Sequence, residues 1–81
     1  MTLGERILIL RRRRGMSQGT LAKAAGLNRN TIARLEQGDL QDLGGQSLVK
    51  LAKALECSAD VLLGMVEIDE KDAEMLAAVA S

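Results

Sequence analysis

The 81-residue chain has no proline, no histidine and no aromatic residue, and it has one cysteine. Each absence excludes something. With no proline to interrupt them, Leu, Ala, Lys, Arg and Glu dominate a sequence with few β-branched runs, which favours helix throughout. With no aromatic ring the core must be aliphatic, built from Leu, Ile, Val, Met and Ala. Nor is there a platform on which the bases of a single strand could stack. A lone Cys57 excludes an intrachain disulfide, and without histidine there is neither a zinc set nor a base to activate that thiol. No metal or other cofactor is expected, and Cys57 reads as a small buried hydrophobe. The acidic residues are scattered rather than gathered round a nucleophile, so no catalytic constellation is present and the chain does not read as an enzyme. No apolar run approaches the ~20 residues needed to span a bilayer, and the N-terminus lacks a signal-peptide pattern. The expectation is a cytoplasmic protein with no membrane partner.

The formal net charge of zero conceals a division along the chain. Residues 1–37 carry eight basic and two acidic side chains, whereas residues 38–81 carry three basic and nine acidic. A basic half of this kind is the electrostatic footprint of a phosphate-binding surface, although a solvated charged face would look the same by composition alone.

Helix signals punctuate the basic half. Thr2 to Glu5 forms a capping-box pattern that opens helix 1, expected from Leu3 to about Arg14, with Leu3, Ile7 and Leu10 facing the core and Ile9 exposed or at an interface. Arg11 to Arg14 point around the whole circumference, so they cannot all touch one ligand. Gly15 ends the helix. Ser17 then caps a second helix, in which Leu21, Ala24 and Ala25 recur at helical spacing, and Gly26 ends it in a left-handed turn. Asn28 caps a third helix from Arg29 to Gln37, closed by Gly38. Ile32 and Leu35 fall on one face of it, with Asn30 and Arg34 on the opposite one.

The acidic half begins with a non-basic connection, Asp39 to Gln46, whose Leu40 and Leu43 either tuck onto the core or cover a partner. Helix 4 is expected from Gly45 to Glu56 with Leu48, Leu51, Ala52 and Leu55 inward. Ser58 starts a short fifth helix with Val61 and Leu62 inward, stopped at Gly64. Beyond it Asp69 to Ala80 reads either as a sixth helix, which needs a surface to pack on, or as a disordered acidic tail.

A short helix, a glycine turn and a second helix, with Ala22, Gly26, Ile32 and Leu35 at these intervals, resemble the helix-turn-helix of the phage repressor/Cro (XRE-type) family. The flanking segments LGERILILRRRRGMSQ, TIARLEQG and SLVKLAKALECSADVLLG resemble the family's other helices, so the likeness covers Leu3 to Gly64. It implies an all-α fold: a compact five-helix lambda-repressor-like DNA-binding domain over residues 1–64. Residues 65–81 form a C-terminal extension for dimerisation, partner binding or a tail. It implies that Arg11 pairs with Glu36 to clamp helix 1 to helix 3, and that Gln18 contacts phosphate and packs against the start of helix 3. The acidic connection departs from the family's usual basic one.

The function this implies is a sequence-specific transcriptional regulator of double-stranded DNA that reads the major groove with helix 3. Base contacts fall to Arg29, Asn30 and Arg34, because arginine can bond two acceptors on guanine and asparagine can pair with adenine. Phosphate contacts fall to Ser17, Gln18, Thr20, Asn28, Thr31 and Gln37. A homodimer is expected, since three base-reading side chains cover too few base pairs. Its interface is expected at Leu63, Met65, Val66 and Ile68, residues that otherwise cover the core of their own chain. A reading from another class is an antitoxin or adaptor module whose C-terminal segment binds a second protein.

Overall fold

The computed structural model describes residues 1–64, which form five helices: α1 (Leu3–Arg13), α2 (Gln18–Ala25), α3 (Arg29–Gln37), α4 (Gly45–Ala54) and α5 (Ala59–Leu63). No strand occurs among them. The expected sixth helix and three of the four expected interface residues, Met65, Val66 and Ile68, lie outside the described residues.

Local chemistry sets the boundaries. The Thr2 hydroxyl accepts from the Glu5 amide at 3.1 Å while the Glu5 carboxylate accepts from the Thr2 amide at 2.8 Å, so two otherwise orphaned donors at the start of α1 are satisfied reciprocally. These hydrogen bonds, the Thr2 amide foremost, hold the Glu5 carboxyl below its ordinary pKa. Ser17 and Asn28 cap α2 and α3 through the amides of Thr20 and Asn30. Between these two helices the chain must reverse within three residues. Gly26 takes φ +67°, a left-handed conformation that a side chain would resist. The end of α4 is different. There the left-handed position, φ +52°, is occupied by Glu56, the one described non-glycine residue with positive φ. The Cys57 amide reaches back to the Ala52 carbonyl at 3.0 Å, closing α4 two residues earlier than the sequence pattern suggested.

The core is one aliphatic cluster. Ile7 and Leu10 come from α1, Leu21, Ala22 and Ala25 from α2, Ile32 and Leu35 from α3, Leu51, Ala52 and Leu55 from α4, and Leu62 from α5. Leu21, Ile32 and Leu51 are fully buried, so truncating any of them to alanine costs about 2–5 kcal/mol. Leu40 and Leu43 tuck against this cluster, which decides between the two roles open to them. Leu3, Cys57 and Val61 also pack on it while only partly buried, and burial pushes the Cys57 thiol pKa up.

Two assignments, the outward one of Ile9 and the inward one of Ala24, need correction, and the burial of Gly4 was not expected. Ile9 is 1% exposed rather than on the surface, although it stands outside the main cluster. Helix α1 packs against both α3 and α5, so its burial spreads beyond the single stripe that three- and four-residue spacing marks. Ala24 faces solvent, and Ala22 takes its place in the buried face of α2. Gly4 is buried, because a Cβ there would run into the Leu35 carbonyl. The missing side chain lets the first turn of α1 lie directly on the end of α3. No helix among the described residues is long and apolar enough to cross a membrane.

Candidate nucleic-acid interface

Helix α3 is gripped from its inner side. Ile32 and Leu35 are buried in the core, and Glu36 lies between α1 and α2. Arg11 Nε donates to Glu36 Oε2 and Arg11 Nη2 to Glu36 Oε1, both at 2.8 Å, a two-pronged fit of guanidinium to carboxylate. The side chains are 7% and 8% exposed. Gln18 Nε2 donates to the same Oε1 at 3.0 Å, and Arg11 Nη1 to the Met16 carbonyl at 3.0 Å. One carboxylate thus ties α1 and the first residue of α2 to the last turn of α3. Because a carboxylate only accepts, Gln18 must turn its amide nitrogen inward, leaving its carbonyl oxygen and one N–H for other partners.

The outer side of α3 is free of such commitments. Arg29, Asn30, Arg34 and Gln37 are exposed, and among the described residues none of their side chains makes a hydrogen bond within the fold. Arg29, Asn30, Ala33 and Gln37 share with Gln18 and Asn28 a concavity of about 460 Å³. Arg34 is exposed but stands outside it. Arg29 also borders a second hollow, about 670 Å³, whose walls include Arg12 and the first turn of α2. Its stem runs 3.7 Å from where a Cβ on Gly19 would be, so glycine there leaves room at the start of α2.

Of the residues expected at phosphates, Ser17 and Gln18 line the larger hollow and Gln18, Asn28 and Gln37 the smaller one, whereas Thr20 and Thr31 line neither. Ser17 Oγ accepts from the Thr20 amide and donates to Thr20 Oγ1, which leaves the Thr20 hydroxyl proton to point elsewhere. Asn28 spends its carbonyl oxygen on the Asn30 amide and keeps its NH₂ group. Thr31 is half-buried and Gln37 exposed. The four arginines have separate surroundings. Arg11 is buried in its pair, Arg12 borders the larger hollow, Arg13 is exposed, and Arg14 pairs with Glu56. Sequence reasoning missed Arg12 and Ala33. Arg12 was hidden in a run of like residues, and Ala33 carries no group that announces a contact, although it lies three residues from Asn30 and four from Gln37.

On α5 Leu62 is buried and the next residue, Leu63, is 52% exposed. Among the described residues no group of His, Cys, Asp and Glu is arranged to hold a metal ion.

A family model described as helix-turn-helix matches residues 7–62. Repressor protein C2 of Salmonella phage P22 is 36% identical over 61 residues, which amount to 75% of this chain and 28% of that protein. The chain therefore spans little more than a quarter of the relative's length. No solved structure matches. With the helix-turn-helix of α2 and α3 locked by a shared carboxylate and its outer face left open, and with a matching model over most of its length, the chain belongs to the XRE-type helix-turn-helix family.

Proposed function

We propose that this chain is a sequence-specific transcription regulator that reads the major groove of double-stranded DNA with α3, as a homodimer. The observation that carries the reading is the two-sidedness of α3. Its inner residues are held by the core and by Arg11 and Gln18, while Arg29, Asn30 and Arg34 project from an exposed face with no partner in the fold. Side chains presented on a rigid helix meet base edges without a cost for ordering the backbone, and their chemistry discriminates guanine and adenine. Ser17, Gln18, Asn28 and Gln37, which line the hollows beside that face, fix its register through phosphates together with Thr20 and Thr31. The relative named as a repressor supports regulation of transcription.

Residues 1–64 are the DNA-reading unit in this proposal, and residues 65–81 supply the dimer contact together with Leu63, whose exposure at the end of α5 supports that placement. Two copies related by a two-fold axis set their α3 helices in successive major grooves, with half-site centres about 10 base pairs apart.

Selection of bound duplexes from a random pool tests the reading, and a near-palindromic site is expected. Asn30→Ala and Arg34→Ala should each lose about 1–3 kcal/mol against that site with little change on random DNA, whereas Gln18→Ala should weaken binding to all duplexes alike. Unchanged discrimination in the first two variants would show that α3 is not the reading element. Sedimentation of the full chain and of a version ending at Gly64, each with the selected duplex, tests the dimer; one protomer on an asymmetric site refutes it.

A further inference from the structure

Every candidate base contact considered so far is a long polar side chain, yet the concavity on α3 has an alanine in its wall. Resting on the duplex-reading role proposed for α3, we infer that Ala33 is a specificity-determining residue that recognises the C5-methyl group of a pyrimidine in the major groove.

Asn30, Ala33 and Gln37 follow one another at three- and four-residue spacing along the outer face, so Ala33 sits between them rather than at an edge. It lines the concavity of about 460 Å³ with Arg29 and Asn30 on one side and Gln37 on the other. It is only half-exposed, whereas Arg29, Asn30 and Gln37 around it are exposed. All the other side chains in that wall are polar, and each has a donor or acceptor to offer a base edge. A methyl group has none. What it offers is a shallow apolar spot, one carbon deep, at the place where the helix can come closest to the floor of the groove. Of the features that base pairs display there, the only apolar one is the C5-methyl group of thymine, and 5-methylcytosine displays the same group. Arg29 and Asn30 flank this spot and are left to neighbouring base pairs, so the polar contacts and the methyl contact do not compete for one base.

The contact buries about one methyl group, which corresponds to about a fourfold change in affinity. The test uses the full chain and the duplex obtained by selection. Each thymine is replaced in turn by uracil, which removes only the methyl group, and binding is followed by fluorescence anisotropy. The wild-type protein is expected to lose about fourfold at one position of each half-site, and Ala33→Gly to lose nothing further there. Ala33→Ser, which keeps the side chain's size and puts a hydroxyl in place of the apolar surface, should also show a reduced uracil penalty, and it guards against a helix weakened by glycine. Asn30→Ala should retain the penalty in full. A C·G pair at the same position, with and without a methyl on the cytosine, separates the two sources of the group. Recovery with 5-methylcytosine extends recognition to methylated DNA, and none restricts it to thymine. Site-specific binding that is indifferent to uracil at every position, or a penalty that persists unchanged in both Ala33 variants, overturns the inference. Failure of the selection to yield any preferred duplex would instead overturn the role proposed for α3.

Discussion

Replacing Glu36 by alanine should destabilise the fold far more than the loss of one surface charge. Arg11 and Glu36 are 7% and 8% exposed, and their two hydrogen bonds are both 2.8 Å. Without Glu36 the guanidinium keeps only the Met16 carbonyl, and Gln18 loses its partner as well. A buried charge left in this state costs about 3–5 kcal/mol. A chain of this size holds roughly 4–12 kcal/mol in all, so the variant stands near the edge of unfolding. At about 4–8 °C per kcal/mol, the melting temperature should fall by at least about 12 °C. Arg14→Ala is the internal control. Its pair with Glu56 is 41% and 67% exposed, and such pairs contribute about 0–1 kcal/mol. Replacing both buried members, Arg11→Met with Glu36→Leu, should recover much of the loss, because the penalty arises from one unpaired charge rather than from the missing attraction. Circular dichroism melts of the four proteins provide the comparison. If Glu36→Ala and Arg14→Ala melt within about 3 °C of each other, the clamp is not holding α3.

Three other outcomes follow from the backbone and the caps. Glu56→Gly should raise the midpoint of urea unfolding, since a left-handed conformation costs a non-glycine residue about 1–2 kcal/mol and the exposed pair lost with Arg14 offsets little of it. A lower midpoint would mean that the pair outweighs the strain. Gly4→Ala should lower the melting temperature sharply although alanine is the better helix former, because its Cβ meets the Leu35 carbonyl and α1 must move off α3; an unchanged melt refutes that close approach. The Glu5 carboxyl has its pKa lowered below 4.5 in the fold, so its contribution is present above the unfolded value and is lost as pH falls through the folded one. Glu5→Gln, which keeps the capping acceptor, should differ from wild type at neutral pH and converge with it as pH falls through the lowered folded value; a constant difference would remove the charge from the account.

Much of the fold was legible because it rests on short-range rules. Thr2 with Glu5, Ser17, Asn28, Gly26 and Gly38 each act within one helical turn, and each stands at the boundary the sequence pattern marks. What escaped depends on neighbours distant in sequence. The burial of Ile9 follows from α1 being packed by two other helices, and nothing in its own spacing records that. Gly4 reads as a weak point in a helix until the end of α3 is laid over it. The left-handed Glu56 was invisible because the sequence has no glycine there to announce the stop. At the candidate site, exposed polar residues on α3 follow from periodicity. The sharing of Glu36 by Arg11 and Gln18 needs three helices in position, and the concavity that Ala33 lines needs Gln18 of α2 brought beside α3.

The separation of the two sides of α3 bears on how such a protein changes over generations. Glu36, Ile32 and Leu35 carry the energy that keeps the helix in place, whereas Arg29, Asn30, Ala33 and Arg34 touch little of the remaining fold. Mutations on the outer positions therefore leave stability nearly intact, and under the proposed function drift there is filtered by target choice alone. If α3 reads DNA as proposed, a lineage built this way can exchange one operator for another through viable intermediates, without first acquiring a more stable scaffold.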